Sequence, residues 1–291
     1  MRSLLFVPAH DERKLAKGLA CGADALIVDL EDAVPEADKP RARGMCAEFV
    51  QAHHDHMPLI VRINGLDTGL LLDDLAAVVR ARPHAVMLPK CLGGTDVALV
   101  GAYLSSLEVR EAVAPASIRI LPIATESAKA VLDISSYAET AGPRLCGLLW
   151  GGEDLAADLG TIANRGPDGA YTAPYALARS LALLSCAAAR VPAIDAVYTD
   201  FRDAAGLRSE CEQAVRDGFS GKAAIHPDQV GVINAAFTPS GAEAARARRI
   251  VEAFDASPGK GAISIDGKML DRPHYLAARR LLSRVGPAQS D

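Results

Sequence analysis

Eight times before residue 238 a short apolar run gives way to a segment with helical spacing. The runs are "SLLFVPA", "ALIVDLED", "LIVRING", "AVMLPK", "IRILPIATE", "CGLLWGGE", "AIDAVYTD" and "GKAAIHP". Helical stretches such as "DERKLAKGLACGA" and "YALARSLALLSCAAAR" follow them. The runs are continuously apolar rather than alternating, as expected when both faces of a parallel strand are covered by other layers. Eight strand-then-helix units therefore predict an α/β fold, a (β/α)8 TIM barrel over residues 1–237. A doubly wound sheet would ask for a glycine-rich phosphate turn after an early strand, and no GxGxxG occurs.

After Phe237 the pattern changes. "PSGAEAARARRIVEAFDAS" predicts a helix starting at Ser240, "GKGAISIDGKMLD" a glycine-bounded strand or hairpin, and "RPHYLAARRLLSRV" another helix. Residues 238–291 read as a C-terminal helical lid extension without an independent core. The closing "GPAQSD" is expected to fray.

Composition narrows the partners. Among 291 residues 50% are hydrophobic, and the net charge of -5 offers no basic surface for nucleic acid or an anionic membrane. No apolar run approaches the ~18–20 residues of a membrane span. "MRSLLFVPAH" is too quickly polar for a signal peptide. The six cysteines form no CxxC pair, so the expectation is a reducing cytoplasm without disulfides or zinc.

In a barrel of this kind the chemistry sits at the carboxyl ends of the strands. Those ends carry Asp29, Glu31 and Asp32, then Arg62 and Asn64, Lys90, Thr125 and Glu126, Glu153 and Asp154, Asp200, and His226. Crowded carboxylates raise one another's pKa unless a cation sits among them. All-oxygen ligation by one or two carboxylates plus water is the habit of Mg²⁺. The set therefore predicts a Mg²⁺-dependent enzyme acting on an oxygen-rich anionic small molecule. Simpler readings stand beside it: Glu126 and Asp154 as helix-start acids, Arg62 as a structural ion pair, His226 as a packed ring. Lys90 reads either as an ion-paired strand end or as the Schiff-base lysine of a metal-free aldolase. "HHDH", His53 to His56, precedes the third strand and so belongs to the opposite, non-catalytic end.

Taken in order, "RSLLFVPA", "ADALIVDLEDAV", "VRIN", "VMLPK", "ATES", "WGGEDLAADLG" and "GKAAIHPDQV" resemble the citrate lyase β-subunit-like family of CoA-ester lyases, within the HpcH/HpaI aldolase and citrate lyase superfamily. The resemblance runs from Arg2 to about Arg280. It implies a Mg²⁺-bearing TIM barrel, a homotrimer or hexamer, that cleaves or forms a 3-hydroxyacyl-CoA thioester such as citryl-, malyl- or citramalyl-CoA. The products are acetyl-CoA and a 2-oxo acid. By the same resemblance Glu126 and Asp154 match the metal ligands, Arg62 the residue gripping substrate oxygens, and Glu31 and Asp32 an acidic pair near the metal's water shell. Phe6 and Lys17 match CoA contacts, and Glu126 also faces the substrate. Asp271 matches a catalytic aspartate lent by the lid of a neighbouring subunit; its one evident nearby cation in the sequence is Arg272. The family often has arginine where Asp11 stands, with Arg13 two residues on. A non-autonomous subunit of a citrate lyase complex is a further reading of the same likeness.

Overall fold

The computed structural model describes residues 1–285; the expected fraying of "GPAQSD" concerns 286–291, outside the described residues. The chain divides into two compact units, Met1–Asn234 and Ala235–Asp291.

In the first unit the eight apolar runs form strands β1 (Ser3–Pro8), β2 (Ala25–Asp29), β3 (Leu59–Arg62), β4 (Ala85–Leu88), β5 (Arg119–Pro122), β6 (Leu148–Leu149), β7 (Ala193–Asp195) and β8 (Gly221–Ala224). They line up in the order β5-β4-β3-β2-β1-β8-β7-β6, and every pairing is parallel. The seam between β5 and β6 is joined by single bridges, Ile120 to Leu145 and Ile123 to Leu149, rather than by a ladder. The result is the predicted eight-stranded TIM barrel ringed by helices, nearly closed. Leu4, Ile27, Ile60, Met87, Leu121 and Ile194 fill its interior as part of one buried cluster. These residues alternate along their strands with side chains facing the helices, so continuous apolar runs serve both faces.

Two details differ from expectation. The seventh strand ends at Asp195, five residues before Asp200, which sits exposed in a loop. Asp195 could be buried inside an apolar run because Lys222 of β8 meets it at 2.8 Å, Arg179 at 3.1 Å and the Trp150 indole at 2.7 Å. Burial pushes against an ionised Asp195, but Lys222 and Arg179 outweigh it and hold its carboxyl below the usual carboxylate range. The helix expected after β5 is two short ones, Ala128–Leu132 and Ser136–Thr140.

The second unit contains the helix Gly241–Asp255, the hairpin of β9 (Ala262–Ile265) and β10 (Lys268–Asp271), and the helix Arg272–Leu282. Ser240 caps the first helix in a reciprocal box with Glu243, as its sequence predicts. Unlike the expectation of an extension without a core, this unit buries Ala247, Ile250, Leu270 and Ala278 against one another. All six cysteines are free, and no helix among the described residues is long and apolar enough to cross a membrane.

Candidate active site

The strand ends open into a cavity of about 340 Å³, lined by Phe6, Asp29, Arg62, Glu126, Glu153 and Asp154 together with apolar side chains. Arg62 closes β3 and Asp29 closes β2, and the two are register partners. Their side chains emerge from adjacent strand ends and meet as a fork: Nε donates to Oδ1 at 2.8 Å and Nη2 to Oδ2 at 2.6 Å. Nη1 stands 2.9 Å from Glu31 Oε2, and the guanidinium lies 4.9 Å from the centre of the Phe6 ring. Burial acts against the charge on Arg62, but Asp29 and Glu31 outweigh it, so the group stays charged and fixed in direction. Two of its five N–H groups are hydrogen-bonded to Asp29, and Nη1 makes an ion-pair contact with Glu31, which leaves donors for a substrate oxygen. Asp29 carries no assigned role in the sequence reading. The available signal is "IVDL" and "IVRI", two equal apolar runs ending in opposite charges.

Glu126 follows β5 and is 7% exposed. The helix-start reading of it fails, because the next residue, Ser127, caps that helix by accepting from the Ala130 amide at 3.2 Å. Glu126 instead accepts a hydrogen bond from the backbone N–H of Lys90. Lys90 holds a left-handed backbone, φ 51°, which is uncommon outside glycine and frequent at functional sites. Burial foremost, with the charges of Asp154 and Glu31, pushes the Glu126 carboxyl up to about 8 against the opposing hydrogen bond from the Lys90 amide and the charge of Arg62.

Asp154 is the second residue of the helix Glu153–Leu159, so it faces the cavity from a helix N-terminus that favours negative charge. Gly151 and Gly152 bring that helix in close. A Cβ on Gly151 would lie 3.0 Å from Ile123 and 3.2 Å from the Glu126 stem, and one on Gly152 would lie 3.2 Å from the Trp150 ring. Thr125 fixes the spacing across the β5–β6 seam: its hydroxyl donates to the Gly151 carbonyl and accepts from the Gly151 amide, both at 2.9 Å.

Glu31, 3% exposed, lies behind this layer and bridges Arg62 and Lys90, whose ammonium is 2.6 Å away. Asp32 is exposed, 4.0 Å from Arg62 and 3.6 Å from Lys90. Burial acts to lower the Lys90 pKa, but the Glu31 contact raises it above the ordinary lysine range. A Schiff-base lysine must give up its proton to attack a carbonyl, so this pairing speaks against the metal-free aldolase reading.

Within the barrel unit other predicted residues are not brought into the cavity. Lys17 is exposed on the outer face of the helix Glu12–Ala20. Asp11 is that helix's N-cap, accepting from the Arg13 and Lys14 amides at 3.1 Å, so an aspartate there has a structural task. His226 stacks on Phe201 at 4.7 Å, the packed role. Asp271 belongs to the second unit and is not short of a local partner: His274, one turn on, stands 2.5 Å from it.

Among the described residues no three His, Cys, Asp or Glu side chains gather as a cage for a metal ion. What the cavity offers is the pair Glu126 and Asp154, mutually repelling, one of them nearly buried. A carboxylate pair in which the charge of Asp154 opposes ionisation of the nearly buried Glu126 suits a hard divalent cation that keeps several waters.

A nearly closed parallel barrel with acids and one clamped arginine at its strand ends has the architecture of a TIM-barrel enzyme. The chain belongs to the HpcH/HpaI aldolase/citrate lyase family of carbon–carbon lyases, whose family profile matches residues 2–227. A second profile, the C–C bond lyase of the TIM-barrel fold, matches residues 173–286. A (3S)-malyl-CoA thioesterase of Cereibacter sphaeroides strain KD131 is 36% identical, over 98% of this chain and 94% of that protein. The citrate lyase subunit beta of Escherichia coli K12 is 35% identical, over 98% of this chain and 93% of that protein. The crystal structure of CitE from Mycobacterium tuberculosis in complex with magnesium, acetoacetate and coenzyme A is 34% identical. It covers 98% of both chains with a TM-score of 0.78.

Proposed function

We propose that this chain is a Mg²⁺-dependent lyase that cleaves a carboxylate-bearing 3-hydroxyacyl-CoA thioester into acetyl-CoA and a 2-oxo acid, or joins them. The observation that carries it is the juxtaposition in one cavity of the Asp29-clamped Arg62 with Glu126 and Asp154. Glu126 and Asp154 would hold the ion, which supplies Lewis acidity toward the oxo acid's oxygens. Arg62 offers its free N–H groups to the oxygen on which charge builds as the carbon–carbon bond breaks. Glu31, and more loosely Asp32, keep Arg62 and Lys90 in place behind that layer. Asp271 would exchange a proton with the methyl carbon of the thioester enolate in a neighbouring subunit's barrel. Its half-buried place at the end of a hairpin supports this role, as does the family likeness. The same likeness supports Phe6 and Lys17 as CoA contacts and a homotrimer or hexamer. The free cysteines support a cytoplasmic home.

The purified chain with Mg²⁺ is expected to release a 2-oxo acid and acetyl-CoA in equal amounts from free CoA thioesters. EDTA should abolish the reaction, and borohydride should trap no adduct on Lys90. Release of free CoA thiol without 2-oxo acid would replace this reading with thioester hydrolysis, the activity in the name of the Cereibacter relative. Activity only with added subunits would make the chain a dependent partner.

The raised Glu126 pKa sets a pH dependence. A proton competes with the cation for a carboxyl that titrates near 8, so Mg²⁺ affinity should climb as pH rises toward about 8 and level off above it. Calorimetric titration across pH 6 to 9 measures this, and a flat profile would remove Glu126 from the ligand set.

A further inference from the structure

The charge in the cavity is confined to one side. Asp29, Arg62, Glu126, Glu153 and Asp154 come from the ends of β2, β3, β5 and β6. The ends of β1, β7 and β8 contribute Phe6, Val7, Ala196, Val197 and Ile225 instead. Phe6 and Val197 also pack on the barrel's interior cluster, so this wall is continuous with the core rather than a scatter of exposed apolar groups. Among the described residues lining the cavity Arg62 is the single cation, and Asp29 and Glu31 already engage it. The nearby Lys90 ammonium is held on Glu31 at 2.6 Å.

Resting on the lyase reading above, we propose that the 2-oxo acid handled here carries hydrogen or a short alkyl group beyond its keto carbon, and not a second carboxylate. The oxo acid's own carboxylate and keto oxygen would be served by the charged half, through Arg62 and the ion that Glu126 and Asp154 would hold. Whatever the keto carbon carries on its other side then falls to the apolar wall. A hydrogen or methyl group gains there by leaving water. A second carboxylate would lose its hydration, find no free cation, and feel four lining acids of its own sign. The substrate class is thus a thioester yielding a monocarboxylic 2-oxo acid, such as malyl-CoA or citramalyl-CoA, in preference to citryl-CoA.

The test uses the purified full-length chain with Mg²⁺ and three thioesters sharing one acetyl half: malyl-, citramalyl- and citryl-CoA. The 2-oxo acid released from each is measured. At least one of the first two should exceed citryl-CoA in kcat/KM by ~100-fold or more, the scale of leaving a charge without a partner. Citryl-CoA cleaved as well as the others overturns this inference and leaves the lyase reading standing. No 2-oxo acid from any of the three removes the lyase reading and the inference together. A second variant probes the wall directly. Ile225 is 41% exposed, so Ile225→Arg can set a cation at the cavity's apolar side with little cost to packing. It should narrow the citryl-CoA deficit by ~10-fold or more, the effect of a new charge-assisted pair. A folded variant with an unchanged deficit would show that the wall does not read the substituent.

Discussion

Chains carrying Glu126→Ala and chains carrying Asp271→Ala are each expected to lose ~1,000-fold or more in kcat/KM, the upper scale for one preorganised electrostatic contact. Assembled together, they should regain activity. Glu126 is nearly buried, accepts the Lys90 amide and shares its field with Asp154, so no neighbouring side chain can take over its position toward a cation. Asp271 closes β10 in a different setting, half-buried and paired with His274. If it serves a neighbouring barrel, a mixed oligomer contains sites that combine an intact Glu126 with an intact Asp271. Random assembly from equal amounts would make about a quarter of the sites whole. Assays on oligomers shown to contain both chains measure this directly. No recovery would make Asp271 either a residue serving its own chain or simply the cap of the helix Arg272–Leu282. Glu126→Ala should also lose Mg²⁺ binding in calorimetry while keeping its melting temperature near that of the parent chain.

Arg62→Lys should cost ~100-fold or more in kcat/KM while leaving the barrel folded, the scale of losing one transition-state donor. A lysine keeps the positive charge that Asp29, 1% exposed, requires. It cannot reproduce the fork that holds both Asp29 oxygens at 2.8 and 2.6 Å while reaching Glu31 at 2.9 Å. With a single ammonium centre committed to Asp29, little remains to aim at a substrate oxygen. A change within a few-fold, with unaltered melting, would reduce Arg62 to a strand-end ion pair.

The barrel is legible in the sequence because eight buried strands must each present both faces to apolar neighbours, and that requirement writes itself as eight apolar runs. Glu126, Asp154 and Arg62 are legible for a related reason, since a charge right at the end of a buried parallel strand or just beyond it tends to reach the mouth, whereas Asp200, five residues past its strand, does not. Asp29 is harder. Its task exists only through the Asp29–Arg62 register, which a single sequence does not specify. The Lys90 contribution is a backbone N–H in a left-handed turn, and no side-chain pattern announces it. Asp195, and not Asp200, closes β7, which the run does not reveal because the neutralising partner Lys222 lies 27 residues away. His274 is a different case: it stands three residues after Asp271, at ordinary helical pairing distance, and a closer look at that spacing would find it.

The one-sided charge of the cavity also divides the chain by how freely it can change. On the β2–β6 side the parts are interlocked. A side chain at Gly151 would press on Glu126, Lys90 holds a backbone that few residues adopt, and Asp29 and Arg62 are meaningful only together. Mutations there fail unless several occur at once. The β7 and β8 wall has no such interlocking: Val197 is only partly buried and Ile225 is exposed. Lineages can alter that wall one residue at a time without disturbing the oxygen-handling half. One ancestral barrel could thereby diversify across acids of different shape while its chemistry stayed constant.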